Sequence, residues 1–297
     1  MAVDALRLRR GGRVRGRTGV VRGGRFRPGG ILRFVYIFLF TIFLLAPFYW
    51  VAVTSIKPVD DYLTTPPVWF PAHPTSLHYS TALNHMRGWL GLKNSLIIAF
   101  SVTAASVLIG TAAAYSMARF RTGGKHLAFW VLSQRFLPPV AVVIPIFLMF
   151  RNLGLVDSRL GLIILYTVFS LPFSIWMMYA YFRQMPVELE EAALVDGCSR
   201  WQSLWKVAWP LAAPGIVSAA AFAFIFSWTE FLFALVLTSR TAVTLPVAIA
   251  STTVGFQGAQ YGETSALTIV SLIPALLLGM LVQRHLVRGL TLGAVQG

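Results

Sequence analysis

The sequence has one cysteine, Cys198, and only ten acidic residues among 297. A single thiol excludes an intramolecular disulfide and any cysteine-cluster metal site. Charge of either sign is sparse: 12% of residues are charged against 57% hydrophobic, and mean hydropathy is +0.70. A soluble globular domain carries about 25% charged residues, so the chain needs either an unusually large core or a membrane. Also missing is any G-x-x-x-x-G-K-[ST] sequence, the loop whose backbone N–H groups cradle nucleotide phosphates. No cofactor is therefore expected on this chain. The only candidate for paired acid/base chemistry is the acidic run from Glu188 to Asp196. Its spacing suits helix capping and a docking surface better than catalysis.

What the sequence does have is long apolar runs. A spanning helix needs about 20 largely apolar residues at about 1.5 Å each. Six stretches qualify: Ile31 to Val53, Lys93 to Ala118, Leu127 to Phe150, Leu160 to Tyr181, Ala212 to Leu237 and Thr264 to Val282. None shows the polar stripe of a helix that faces water on one side. Pro138, Pro139, Pro145, Pro172 and Pro274 fall inside them, which bundled membrane helices tolerate because neighbours re-satisfy the freed backbone groups. The expectation is an all-α integral membrane protein of six transmembrane helices. The basic start resembles a signal peptide, but the apolar run after it is long enough to span, so the first helix is expected to stay in the mature protein.

The formal charge of +15 is unevenly distributed, with ten arginines between Arg7 and Arg33. With the N-terminus inside, 18 basic residues fall in cytoplasmic segments and 6 outside, the bias that orients membrane proteins. Both termini are thus expected in the cytoplasm. Residues 1–30 are expected to form a disordered basic Arg/Gly-rich tail suited to anionic lipid and, with no aromatic platform except Phe26, not to nucleic acid. The outer stretch from Thr54 to Leu92, with "TTPPVWFPAHPTSLHY", is expected to be ordered without regular structure. Its His73, His78 and His85 have no familiar metal-ligand spacing and are expected on the surface. No metal site is expected.

One polar stretch interrupts the apolar runs: "ELEEAALVDGCSRWQSLWKVAWP", Glu188 to Pro210. Pro186 suits a first helical turn, and Glu188, Glu190 and Glu191 favour the positive end of a helix dipole. Ala192 and Ala193 leave a low surface, Gly197 can close the helix in a left-handed conformation, and Ser199 with Gln202 forms a capping-box pattern for a second helix. Leu189, Leu194, Leu204 and Val207 are expected to face inward and the charges outward. An amphipathic hairpin resting on the membrane usually carries basic residues. This acidic one, including Asp196, favours a protein partner.

At these residues the sequence resembles the permease subunits of bacterial ABC importers, whose cytoplasmic signature is Glu-Ala-Ala, three residues, Gly, nine residues, Ile-x-Leu-Pro. Glu191, Ala192, Ala193 and Gly197 match, and Val207 to Pro210 ("VAWP") follow at the right spacing, with Trp209 departing from Leu. "LKNSLIIA", "AAAYSMARFRTGGK", "WTEFLFAL" and "RGLTLGAVQG" are similar to the smaller permease of maltose- and glycerol-phosphate-type importers in the carbohydrate-uptake branch. The resemblance covers about residues 34–297.

It implies a type I importer fold in the bacterial cytoplasmic (inner) membrane, with residues 31–288 spanning and 289–297 as a cytoplasmic tail. Within loop 183–211, a coupling helix between the fourth and fifth spans would use Glu188, Glu190, Glu191, Ala192, Ala193, Asp196 and Gly197 to dock an ATPase. Gly289, Gly293 and Gln296 would contact that ATPase. The implied partners are a second permease subunit, two ATPase subunits that bind ATP and Mg, and an extracytoplasmic sugar-binding protein facing the loop from Thr238 to Tyr261. "TLPVAIAS" in that loop fits a partly inserted segment.

Arg135 and Glu230 are ionisable residues within spans, which usually face a cavity or interior. Their depths differ by about 13 Å at 1.5 Å per residue, which opposes a mutual salt bridge unless Pro138 and Pro139 bend the third span. Glu230, Trp228 and Arg135 are candidates for the translocation path or gate, with a structural polar contact as the alternative for Glu230. Gln134 and Asn94 are expected to hydrogen-bond between helices. The rival function is an ion-coupled secondary transporter, which would normally show internal repeats. None is convincing here.

Overall fold

The computed structural model describes residues 28–124, 126–253 and 260–291, and every regular element among them is helical. In order these are α1 (Pro28–Thr54), a 3₁₀ turn (Val59–Asp61), α2 (Leu77–Asn84), α3 (Gly88–Phe120), α4 (Leu127–Ser133), a 3₁₀ turn (Gln134–Phe136), α5 (Pro139–Asn152) and α6 (Arg159–Gln184). There follow α7 (Glu188–Val195), α8 (Arg200–Ser203), a π turn (Leu204–Ala208), α9 (Trp209–Leu211), α10 (Ala213–Thr229), α11 (Leu232–Leu237), α12 (Leu245–Thr253) and α13 (Tyr261–Thr291). The chain divides into two compact units, residues 1–47 and 48–297. In the first, the described part is helical: Phe34 stacks on Phe38, Tyr36 on Phe40, and the Thr41 hydroxyl donates to Ile37 O at 2.8 Å. Most of the basic tail lies outside the described residues.

Four helices are each long and apolar enough to cross a membrane: Leu32–Thr54, Gly88–Phe120, Arg159–Gln184 and Tyr261–Gln283. The third and fifth expected spans are broken. Leu127–Phe136 and Pro139–Asn152 meet at 90°. Leu137 and Pro138 are extended there (ψ 119° and 124°) because each precedes a proline, whose ring excludes the helical region for the residue before it. α10 makes a span only with the turns before it, Arg200–Leu211, from which it is bent by 78°. A second break follows at Glu230, also extended at ψ 130°. Counting each bent pair once gives six spans.

The stretch from Thr54 to Leu92 needs correction, since it holds a 3₁₀ turn, α2 and the start of α3. His78 is also not a surface residue. The inward face of α2 carries it with Ala82, and it is 2% exposed. Its Nδ1 lies 3.0 Å from Glu263 Oε1, and its Nε2 lies 2.8 Å from both Tyr62 Oη and Lys57 O. Burial, reinforced by the Glu263 carboxylate, pushes the Tyr62 phenol up to about 12. His73 and His85 are exposed as expected. No metal-binding cluster occurs among the described residues.

The most extensive packing joins α3 to α6, through small residues that let the backbones approach. Ser106, Gly110 and Ala114 of α3 and Ser170 and Ser174 of α6 are all buried. A Cβ on Gly110 would stand 3.0 Å from Ser174 Cβ. Gly110→Val is expected to destabilise by about 1–3 kcal/mol through overpacking, read as a lower thermal midpoint of the detergent-purified protein. Gly279→Val, where nothing lies within 4 Å of the added Cβ, is the control and should leave the midpoint in place.

Candidate functional site

α6 ends at Gln184, and the chain turns through Met185 and Pro186 into α7. Glu188, Glu190 and Glu191 occupy the first turn of α7, where negative charge meets unpaired backbone N–H groups. Gly197 closes the helix at φ +89°. Its N–H donates to Leu194 O at 3.1 Å and the Cys198 N–H to Ala193 O at 3.0 Å, the paired bonds of a left-handed C-terminal cap. No atom lies within 4 Å of a Cβ placed there, so the backbone conformation alone calls for glycine. The capping box forms as read: Ser199 Oγ accepts from the Gln202 N–H at 3.2 Å, and Gln202 Oε1 accepts from the Ser199 N–H at 2.9 Å. Leu204 and Ala208 then bury against α3 and α6 beside Tyr115, Met178 and Phe182.

On α7 Glu188 and Glu191 are exposed and Leu194 is half-buried as expected, but Leu189 and Glu190 exchange places. Leu189 is 47% exposed, whereas Glu190 is 4% exposed and points at α3. Arg119 Nη2 and Nε lie 2.7 Å and 2.8 Å from Glu190 Oε1, and the Tyr115 hydroxyl donates to Oε2 at 2.7 Å. Arg119 Nη2 also donates to Met185 O at 3.2 Å. A carboxylate supplied with three donors is stable in a buried place, and Leu189 is left on the exposed side. Of the seven coupling candidates, Glu188, Glu191, Ala192, Asp196 and Gly197 are exposed and Ala193 is half-buried. Glu190 is the root that fixes them to the membrane helices.

The candidates for a path or gate are not brought together. Trp228 is buried between α10 and α13, stacked on Phe224, and donates from Nε1 to Ser271 O at 3.2 Å. Glu230 sits at the break after α10, where its carboxylate accepts the N–H groups of Phe233 (2.9 Å) and Ala234 (3.3 Å) and so caps α11. Arg135 is exposed, donates to Phe169 O at 2.8 Å and lies 4.5 Å over the Phe226 ring. No Arg135–Glu230 bridge forms: the ion pairs among the described residues are His78–Glu263 and Arg119–Glu190. Gln134 bonds locally to Trp130 O rather than between helices. Gly289 lies in the last turns of α13, which continues past the expected end of the span to Thr291. Gly293 and Gln296 lie outside the described residues.

At the opposite end of α3, the connection from α11 to α12 is held by side chains that sequence reasoning missed. Asp157 Oδ1 accepts the N–H groups of Ser239, Arg240, Thr241 and Ala242 at 3.0 to 3.1 Å, and Oδ2 accepts the Thr241 N–H at 2.9 Å. Asn94 does bond between elements as expected, donating to Thr241 O and Val243 O and accepting from Arg159 Nε at 2.7 Å. Ser95 Oγ accepts the Leu245 N–H at 2.8 Å. The expected inserted segment is α12, which packs on α3 and α13 with Leu245 and Ala248 buried. Partial burial raises the Asp157 carboxyl, but the backbone N–H groups outweigh it and hold the group well below the usual carboxylate range.

Two outcomes follow. Removing one partner of a buried ion pair costs about 3–5 kcal/mol. Glu190→Ala should therefore speed amide hydrogen exchange across 188–210, whereas Glu188→Ala, on the exposed side, should not. For Asp157, a depressed folded pKa means that its contribution is complete above the ordinary value of about 4 and is lost only as pH falls through the lower folded value. Protection of the 239–242 amides should then be steady from neutral pH to about pH 4 and weak at every pH in Asp157→Ala.

The family of binding-protein-dependent transport system inner membrane components matches residues 106–292. The sulfoquinovosyl glycerol transport system permease protein SmoH of Agrobacterium fabrum is 36% identical over 277 residues, which cover 92% of this chain and 96% of that protein. The trehalose/maltose transport system permease protein MalG of Thermococcus litoralis is 35% identical over 277 residues, 90% of this chain and 97% of that one. A solved bacterial ABC transporter involved in the import of the acidic polysaccharide alginate matches with a TM-score of 0.76 at 25% identity, covering 87% of this chain and 96% of its own. Such a subunit works with an ATPase and a binding protein and is not itself catalytic. The matched span holds the second half of α3, the root of α7, both broken spans and α13, and the chain therefore belongs to the binding-protein-dependent transport system inner membrane components, the permease subunits of ABC importers.

Proposed function

We propose that the chain forms half of the translocation pathway of an ATP-driven sugar importer, paired with a second, different permease subunit and two ATPase subunits. ATP and Mg belong to the ATPases, and an extracytoplasmic binding protein delivers the sugar. Both termini and the 188–210 segment lie in the cytoplasm. Sugar as the cargo is supported by the names of SmoH and MalG, which refer to sulfoquinovosyl glycerol and to trehalose and maltose.

The observation that carries the coupling role is the two-sided construction of α7. Outward it offers Glu188, Glu191, Ala192 and Asp196, which are acidic or small and open to a partner. Inward it is tied through Glu190 to Arg119 and Tyr115 of α3. A push on the outer face by a closing ATPase dimer would pass through a buried ion pair into α3, the longest helix among the described residues. The last turns of α13, with Gly289, and the following Gly293 and Gln296 are proposed as a second ATPase contact. Arg135 and Glu230 are proposed to act at the breaks of the third and fifth spans, and the basic tail to rest on anionic lipid.

The test is purification of the wild-type complex and of Glu191→Arg, with binding-protein-dependent sugar uptake measured in proteoliposomes. The wild type should carry an ATPase and take up sugar on ATP addition. Glu191→Arg should lose the ATPase or hydrolyse ATP without uptake. Uptake driven by an ion gradient with no ATPase present would overturn the proposal.

A further inference from the structure

At the end of α3 opposite the 188–210 segment, a cavity of about 190 Å³ is lined by Trp50, Thr54, Lys57, Tyr62, Leu63 and Tyr261. Its walls are fixed. Trp50 meets Trp69 edge to face at 5.8 Å, and Trp69 O accepts the Tyr49 hydroxyl at 2.8 Å. Tyr62 meets Tyr261 edge to face at 5.9 Å, and its hydroxyl is 2.8 Å from His78 Nε2. Gly262, next to Tyr261, has no room for a side chain: a Cβ there would run into the Tyr62 hydroxyl and the His78 ring. The aromatic faces are therefore in place without a ligand.

Lys57 is the unusual member. It is 1% exposed, yet its Nζ makes no hydrogen bond or ion pair with any described residue. Its one contact of note is the Trp50 ring, whose centroid is 4.0 Å away. An ammonium carries three donors, and a ring face satisfies an electrostatic need without accepting them in good geometry. Lys57 stands on the cavity wall, where a ligand can reach those donors. A ligand that engages both the donors and the rings must bring oxygen acceptors and a surface that stacks on aromatic rings.

A pyranose ring has both, with hydroxyl oxygens at its rim and C–H groups on its faces. A phosphate or other anion fits less well, because Asp60, Asp61 and Glu263 all stand close to the cavity walls in sequence or contact. The Tyr62 phenol, held up near 12 by burial and Glu263, stays neutral and adds no charge. We propose that this cavity is a subsite for one neutral sugar ring, with Lys57 donating to its hydroxyls and Trp50 and Tyr261 stacking on its C–H faces. This inference rests on the sugar-importer reading above and adds a contact of this chain with the cargo, outside the binding protein.

The test uses the complete complex in nanodiscs without the binding protein, and as probe the sugar taken up in the proteoliposome assay. Saturation-transfer NMR, with the aromatic protons irradiated, should give a saturable signal on the ring C–H protons in the millimolar range. Lys57→Met and Trp50→Leu should each weaken the apparent affinity about tenfold, the loss of one good polar or stacking contact. Recovery of the ATPase with each variant reports that it has folded. The subsite is overturned if the wild type takes up the sugar but gives no saturable signal, or if both folded variants match it. It is also overturned if phosphatidylglycerol in the disc abolishes the sugar signal at millimolar sugar, because the cavity then belongs to lipid. Failure of ATP-driven uptake in the wild type would instead remove the importer reading itself.

Discussion

The docking segment and the opposite α11–α12 connection are both tied to polar side chains of one helix. α3 is apolar enough to cross a bilayer, yet it carries Asn94 and Ser95 near its start and Tyr115 and Arg119 near its end. Polar groups placed this near hydrocarbon must be satisfied by protein, and each of these is. Asn94 and Ser95 take backbone groups of the α11–α12 connection, while Tyr115 and Arg119 take the carboxylate of Glu190. The need to satisfy them is what positions both the docking segment and the opposite loop. Packing of small residues against α6 then keeps α3 itself in place.

The same rule explains the breaks. A helix interrupted in a membrane exposes backbone donors that water cannot reach. At Glu230 a carboxylate supplies the missing acceptors for α11. At Pro138–Pro139 the prolines remove two of the donors outright. These interruptions are therefore stable features, each with its own chemical answer, and Glu230 is occupied by this duty before any role in transport is asked of it.

The four continuous spans were legible in the sequence because uninterrupted apolar length is a sufficient signal. So were the turn at Gly197 and the capping box at Ser199, which depend on neighbours in sequence. The 90° bend was half legible, since two consecutive prolines announce a break but not its angle. Asp157 was not legible at all: its partners lie more than eighty residues downstream, and nothing local separates a nest-filling aspartate from a surface one. The exchange of Leu189 and Glu190 on α7 was not legible for a related reason. Leu189 and Glu190 are adjacent, and only the unseen guanidinium of Arg119 decides which turns inward. His78 was misplaced because its burial depends on Glu263, on the last helix.

Asn94 and Arg119 are 25 residues apart on a single unbroken helix, which sets them about 38 Å apart at 1.5 Å per residue. That spacing makes α3 a lever with a load at each tip. A tilt of one degree about the Asn94 end carries the Arg119 end through about 0.7 Å, by the same helix geometry. Neither tip has slack to absorb it, because one grips an ion pair and the other is hydrogen-bonded to a loop through Asn94 and Ser95. Rotation of this rod is thus geared directly to both membrane faces, and its pitch, rather than any flexible joint, sets how far one face travels when the other is pushed.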